Sequence, residues 1–158
     1  MDEPRPAPLD LRTWNGSLPR IEGIASLSPR EARDLLSAGA VLVDLREAYE
    51  TNFRVFDVEK VLYLPWSTFP ERIGDLPRDR ALILADASGI YVREAARLLS
   101  RAGFSNLGKL SGGMIDWDGE GLPVRKDPDF ELGGQCACKI KTRAGRNPLI
   151  EKDEARPS

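Results

Sequence analysis

One acidic residue, Asp86, lies where this chain could most readily arrange reactive chemistry. It follows an apolar run at residues 81–85, which predicts a buried strand, and a helix is expected from about Val92 to Ala102. A loop between a strand and a helix N-terminus cradles anions, because backbone N–H groups and the helix dipole point into it. A thiolate would be stabilised in such a cradle, but here the candidate residue is a carboxylate.

The carboxylate of Asp86 limits the chemistry of this loop. A carboxylate oxygen is a hard nucleophile and cannot do the chemistry of a soft, polarisable thiolate. It can accept the loop N–H bonds itself, and an incoming anion would then meet a like charge. Two interpretations stay open: Asp86 is a nucleophile or base in another reaction, or it plugs its own cradle. We favour the plug, because no lysine or magnesium-binding carboxylate cluster lies beside Asp86 in sequence.

A second pair of charged residues, Asp44 and Arg46, follows the short apolar run Val41-Leu42-Val43. In a functional interpretation Arg46 lines a pocket. In a structural interpretation Asp44 accepts backbone N–H groups at a strand end, and Arg46 bonds to a carboxylate or a loop carbonyl. We favour the structural pair.

The cysteines Cys136 and Cys138 are the other possible chemistry, and no further cysteine is present. They precede a basic run at residues 139–146, whose first lysines, Lys139 and Lys141, favour thiolate. The pair could be a redox or sulfur-carrying site, half of a metal or iron–sulfur site completed by another chain, or two inert thiols. The basic run predicts a solvated tail.

Composition excludes several classes of function. The chain has 158 residues, 41% of them hydrophobic, which suits one domain with tails. The net charge of −2 does not favour a nucleic-acid partner. The absence of histidine excludes Ser-His-Asp and Cys-His catalysis and histidine-bound metals. No apolar run of membrane-spanning length and no secretory signal is present, so a cytoplasmic location is expected.

Predicted strands and helices alternate along the chain, which favours a mainly parallel sheet with helices on both faces. The first helix begins at Ser28-Pro29-Arg30-Glu31, where a serine cap, a first-turn proline and a glutamate combine. A short edge strand is predicted at residues 24–27, further strands at 41–43, 61–64, 81–85 and 106–110, short helices at 47–52 and 67–73, and a last helix after Ser111.

Six segments, in this order, make the chain resemble the rhodanese-like family over about residues 24–124. They are Ser28-Pro29-Arg30-Glu31, Val41-Leu42-Val43-Asp44-Leu45-Arg46-Glu47, residues 81–91, Ala95-Ala96-Arg97-Leu98-Leu99, Ala102-Gly103-Phe104-Ser105-Asn106-Leu107, and Leu110-Ser111-Gly112-Gly113-Met114-Ile115-Asp116-Trp117. The resemblance implies an α/β sandwich around a five-stranded, mainly parallel sheet. It also implies an active loop at the carboxyl end of the central strand.

In active members of that family the loop starts with a cysteine that accepts a sulfane sulfur, from thiosulfate for example, and passes it on as a persulfide. The six-residue loop at 86–91 has the length typical of sulfur-transferring members rather than of related phosphatases. This chain departs from the pattern in the loop and at residues 56–61, which lack the usual His-Ile-Pro-Gly-Ala type of stretch. The resemblance therefore implies a degenerate active site made of Asp86, Ala87, Ser88, Gly89, Ile90 and Tyr91, with Asp44 and Arg46 as pocket neighbours.

Five further residues are expected to support the loop, to lie at its rim or to belong to the core. Gly112 and Gly113 should allow close backbone approach beneath it, and Trp117 should belong to the core. Trp66 and Phe69 are candidates for an exposed contact patch at its rim.

The sequence thus predicts an N-terminal arm (residues 1–20), a rhodanese-like domain (21–125) and a C-terminal tail with the cysteine pair (126–158). The predicted function is that of a catalytically inactive, protein-binding or scaffolding module in sulfur or redox metabolism. We expect no cofactor, no metal and no nucleic-acid partner, and weak binding of small sulfur anions at most. The alternative is a sulfur carrier or thiol oxidoreductase that uses Cys136 and Cys138.

Overall fold

Strands and helices alternate along the chain as the sequence predicts. The computed structural model describes residues 9–11, 20–21, 24–127 and 150. Cys136, Cys138 and the basic run lie outside these ranges, as does most of the predicted N-terminal arm. The elements are β1 (Arg20–Ile21), β2 (Ile24–Leu27), α1 (Pro29–Ser37), β3 (Val41–Asp44), β4 (Arg54–Phe56), β5 (Val61–Tyr63), α2 (Phe69–Arg72) followed by a 3-10 turn (Ile73–Asp75), β6 (Leu82–Ala85), α3 (Val92–Arg101), β7 (Leu107–Leu110), α4 (Gly113–Gly119) and β8 (Val124–Lys126).

Five parallel strands form the main sheet, in the order β2-β7-β6-β3-β5. The predicted α/β fold is therefore confirmed. The short strand β1 pairs antiparallel with β2, so the prediction of residues 24–27 as an edge strand is wrong. Strand β6 is central, and its last residue, Ala85, pairs with Asp44 at the end of β3. The carboxyl ends of these two strands thus lie side by side.

Both faces of the sheet are buried, which explains why its strands read as continuous apolar runs rather than alternating ones. Ile83 and Ala85 of β6 face a core cluster that includes residues of α1 and α4, whereas Leu82 and Leu84 face a cluster with residues of α2 and α3. Trp117 of α4 is fully buried and meets Phe56 edge-on, with ring centroids 5.4 Å apart. The prediction that Trp117 belongs to the core is confirmed.

Helix α1 begins at the predicted capping box. The Ser28 hydroxyl accepts the Glu31 N–H at 3.2 Å, and the Glu31 carboxylate accepts the Ser28 N–H at 2.9 Å. Two N–H groups that have no partner within the helix are thereby satisfied.

The predicted helix at residues 47–52 is wrong, because this segment forms turns. The Arg46 guanidinium donates to the backbone carbonyls of Glu50 and Arg54, at 3.4 Å and 3.1 Å. These bonds hold the segment as a turn that leads into β4. The predicted helix at 67–73 shortens to α2 and the 3-10 turn. No helix in the described ranges is long and apolar enough to cross a membrane.

Candidate functional site

Asp86 lies immediately after β6, at the carboxyl end of the central strand, and only 2% of its surface is exposed. One carboxylate oxygen, Oδ1, accepts the N–H of Ser88 at 3.1 Å and that of Gly89. The other, Oδ2, accepts the N–H of Tyr91 at 2.6 Å. The side chain thus uses the donors that would otherwise point at an anion in this loop.

The loop at residues 86–91 bends tightly between β6 and α3. Gly89 has φ +93°, a left-handed conformation that favours glycine. Tyr91 is the N-cap residue of α3 and makes no capping bond with its side chain. Because Asp86 accepts the Tyr91 N–H from five residues upstream, the loop is tied to the start of the helix.

The first turn of α4 holds the other side of the loop backbone. The N–H groups of Met114 and Ile115 donate to the carbonyls of Asp86 and Ala87, at 2.9 Å and 3.1 Å. Gly113 has φ +60°, and a Cβ atom there would clash with the Asp86 carbonyl oxygen and lie 2.7 Å from the Ala87 carbonyl carbon. The predicted close approach beneath the loop is therefore present, and it requires glycine.

Asp44 and Arg46 form a buried ion pair, with side chains 0% and 2% exposed. The guanidinium Nε lies 3.0 Å from Asp44 Oδ1 and Nη2 lies 2.7 Å from Oδ2, while Oδ1 also accepts the Arg46 N–H at 3.1 Å. The remaining nitrogen, Nη1, donates to the carbonyls that end the turn after β3. The structure thus places Arg46 in the structural arrangement, with little exposed surface for a ligand.

Four large hydrophobic side chains are exposed in the described part of the chain: Tyr49, Ile90, Tyr91 and Ile115, at 53%, 71%, 47% and 55%. Ile90 and Tyr91 belong to the loop, and Ile115 follows it through its N–H bond to Ala87. Tyr49 lies in the turn after β3, whose end adjoins that of β6. These four residues, here called the loop rim, therefore belong to the loop or to segments beside it. The sequence alone does not identify them as a group.

Trp66 connects the loop rim to the core. Its ring stacks on Tyr91 at 5.5 Å and on Phe69 at 5.8 Å between centroids. Phe69 is fully buried, so its prediction as an exposed contact residue is wrong; it packs in the cluster between the sheet and α3. Trp66 is half-buried and holds the Tyr91 ring in place.

Two carboxylates, Glu47 and Glu50, flank Tyr49 in the turn and are here called the acidic pair. Glu47 accepts the Ser67 N–H at 2.8 Å and its hydroxyl at 2.9 Å, and Glu50 accepts the Glu47 N–H at 2.7 Å. The pKa of the Tyr49 phenol is raised above its ordinary value. The largest cause is the charge of Glu50, and smaller ones are desolvation, the charge of Glu47 and the neighbouring Tyr91. The rim is therefore acidic around Tyr49.

The family of the chain follows from comparison with known proteins. Residues 28–120, more than half of the chain, match the model of the rhodanese-like domain. This chain belongs to the rhodanese-like domain family. The match lies within the predicted domain at residues 21–125, whose boundaries stay a prediction.

This rhodanese-like domain is similar to two relatives and to one solved structure. It is 30% identical over 95 residues to the Mycobacterium tuberculosis protein named "Probable adenylyltransferase/sulfurtransferase MoeZ", covering 59% of this chain and 24% of MoeZ. It is 31% identical over 84 residues to a sulfurtransferase of Allochromatium vinosum, covering 53% and 77%. A rhodanese-related protein from Thermoplasma volcanium, 27% identical, superposes with a TM-score of 0.58, covering 63% and 96%. This chain thus spans about a quarter of MoeZ.

The structure brings the loop residues and the Asp44–Arg46 pair together at the carboxyl ends of β6 and β3. It does not locate Cys136 and Cys138, which lie outside the described residues, so their redox and weak metal assignments stay predictions. Within the described ranges no three His, Cys, Asp or Glu side chains converge as a metal ion would require.

Gly113→Ala should destabilise the rhodanese-like domain by about 2–5 kcal/mol, because a Cβ atom at a left-handed position meets the loop backbone. The measurement is the free energy of unfolding in urea. Gly119→Ala is the matched control, since that glycine has ordinary φ and a Cβ atom added there would meet nothing within 4 Å. The control should lose no stability, and equal losses in the two variants would contradict the prediction.

Arg46→Ala should cost about 3–5 kcal/mol of unfolding free energy, because it leaves the Asp44 carboxylate buried without its partner. Arg30→Ala removes an exposed pair with Glu120 at 3.4 Å and should cost at most about 1 kcal/mol. Chemical denaturation of both variants checks the difference. A loss at Arg46 no greater than that at Arg30 would refute the buried-pair account.

Proposed function

We propose that this rhodanese-like domain does not transfer sulfur at its loop and instead works as a protein-binding module in sulfur or redox metabolism. The observation that carries the proposal is the set of three hydrogen bonds from the loop N–H groups to the Asp86 carboxylate. The site that would stabilise a persulfide or a bound anion is filled by the chain's own side chain.

Two physical arguments support the absence of sulfur transfer. A carboxylate oxygen is not the soft nucleophile that takes up a sulfane sulfur. A thiosulfate ion would also have to displace Asp86 from charge-assisted hydrogen bonds, which are among the stronger ones in proteins. The carbonyls of Asp86 and Ala87 are held by α4, so the loop backbone is constrained on both sides.

The loop rim supports the protein-binding part of the proposal. Exposed apolar side chains that cluster rather than scatter mark interaction sites, and tyrosine is enriched among the residues that dominate interfaces. Tyr91 is also pre-ordered by its stack on Trp66, which reduces the entropy lost on binding. Sulfur metabolism is inferred from the names of the relatives, an adenylyltransferase/sulfurtransferase and a sulfurtransferase.

The wild-type chain should produce no thiocyanate from thiosulfate and cyanide above the rate without protein. Asp86→Ala should leave that rate unchanged, because the carboxylate takes no part in sulfur chemistry. Robust turnover by the wild type would contradict the proposal. If that turnover disappeared in a Cys136→Ser, Cys138→Ser chain, the tail would be the sulfur carrier, and a sulfur adduct on the tail peptide by mass spectrometry would show it.

Asp86→Cys should restore a reactive thiol, since the same three N–H groups would then stabilise a thiolate. In a background with Cys136 and Cys138 changed to serine, its alkylation rate against pH should give a pKa below the ordinary value of about 8.5. Ser88→Cys, two residues away on the exposed side of the loop, is the matched control and should titrate near that value. An unshifted thiol at position 86 would refute the cradle.

A further inference from the structure

We propose that the loop rim binds a cationic segment of a partner protein, in which lysine or arginine side chains are interspersed with aliphatic ones. The inference rests on the protein-binding function above and adds the chemistry of the partner. Two independent features of the described surface carry it: the apolar side chains of the rim and the charge of the acidic pair.

The apolar half of the surface is formed by Ile90 and Ile115, which are 71% and 55% exposed. Both are attached to backbone held by hydrogen bonds, because the N–H of Ile115 donates to the Ala87 carbonyl and the Asp86 carboxylate accepts two N–H groups of the loop that carries Ile90. Rigid backbone beneath exposed aliphatic side chains lowers the ordering cost of binding. Aliphatic side chains of a partner would pack here.

The charged half of the surface is the acidic pair, Glu47 and Glu50. Each carboxylate is positioned by a hydrogen bond, to Ser67 and to the Glu47 N–H respectively. Neither forms an ion pair with a lysine or arginine of the described residues, whereas Asp57, Asp118 and Glu120 do. Two fixed and uncompensated negative charges at an apolar surface select a positively charged partner.

Two tyrosine rings add to this surface. Tyr49 is about half exposed beside the acidic pair, and Tyr91 is close enough to contribute to the raised pKa of Tyr49. A lysine or arginine side chain placed over such a ring, with a carboxylate nearby, gains both a cation–π interaction and an ion pair. An acidic segment or a nucleic-acid backbone would instead meet Glu47, Glu50 and the tyrosine ring faces unfavourably.

The test uses the full chain and three fluorescein-labelled peptides of equal length, in which leucine alternates with arginine, serine or glutamate. Fluorescence anisotropy should show the arginine peptide binding at least about tenfold more tightly than the serine peptide, with affinity falling as salt rises. The glutamate peptide should not bind. Replacing Glu47 and Glu50 together by glutamine should lower the affinity for the arginine peptide about three- to tenfold.

Glu59→Gln is the control variant, because Glu59 is exposed but precedes β5. It therefore lies near the amino ends of the parallel strands, whereas the loop lies at their carboxyl ends. This variant should leave the affinity within about twofold. Tyr49→Ala should weaken the arginine peptide, and unchanged melting temperatures would show that the variants are folded. Equal loss of affinity in Glu59→Gln and in Glu47→Gln or Glu50→Gln alone, each of which removes one charge, would overturn the inference, because the attraction would then come from overall charge.

Two other outcomes distinguish this inference from the proposed function. If the serine and arginine peptides bound equally and both lost affinity in Tyr49→Ala, the rim would bind proteins but the cationic partner would be refuted. If the arginine peptide bound only after residues 139, 141, 143 and 146 were neutralised, the chain's own basic run would be the occupant, and the partner would again be refuted. Sulfurtransferase activity, measured separately, decides the proposed function.

Discussion

The arrangement of the site depends on one set of hydrogen bonds, those from the N–H groups of Ser88, Gly89 and Tyr91 to the Asp86 carboxylate. A strand that ends at the N-terminus of a helix leaves such donors pointing into one small space. In this chain that space is occupied from within. The loop keeps the shape of an anion cradle while its donors are already satisfied.

The rest of the domain keeps this loop in place. Gly113 lets α4 approach closely enough for two of its N–H groups to hold the loop carbonyls. The Asp44–Arg46 pair ends the neighbouring strand and fixes the turn that carries Tyr49. Because these supports are buried and the rim residues are exposed, the fold combines a rigid base with an accessible apolar surface. That combination suits a binding surface, which is why the proposed function does not require a nucleophile.

Local sequence signals predicted the elements well where one interaction determines them. The capping box at Ser28 and Glu31, the buried apolar runs and the paired glycines at the start of α4 each have a direct structural counterpart. The prediction of a helix at residues 47–52 is wrong because the conformation of this segment is set by Arg46, whose guanidinium donates to two backbone carbonyls across the turn. Local propensity does not contain that tertiary interaction.

The composition of the site was harder to predict than its position. Phe69 and Ile115 both lie in short helical segments with apolar neighbours, yet one is buried and the other is about half exposed. Which of them faces the sheet depends on how α2 and α4 pack, and helices of four and seven residues have too few turns to define an apolar face. The exposed side chains of the loop rim come from three separate segments, so only the fold brings them together.

The central claim is that Asp86 fills the anion cradle, and isothermal titration with thiosulfate tests it most directly. We predict no binding heat from the wild-type chain and measurable, saturable binding by Asp86→Ala, in which the same loop N–H groups are released. Saturable binding by the wild type with an affinity equal to that of Asp86→Ala would contradict it.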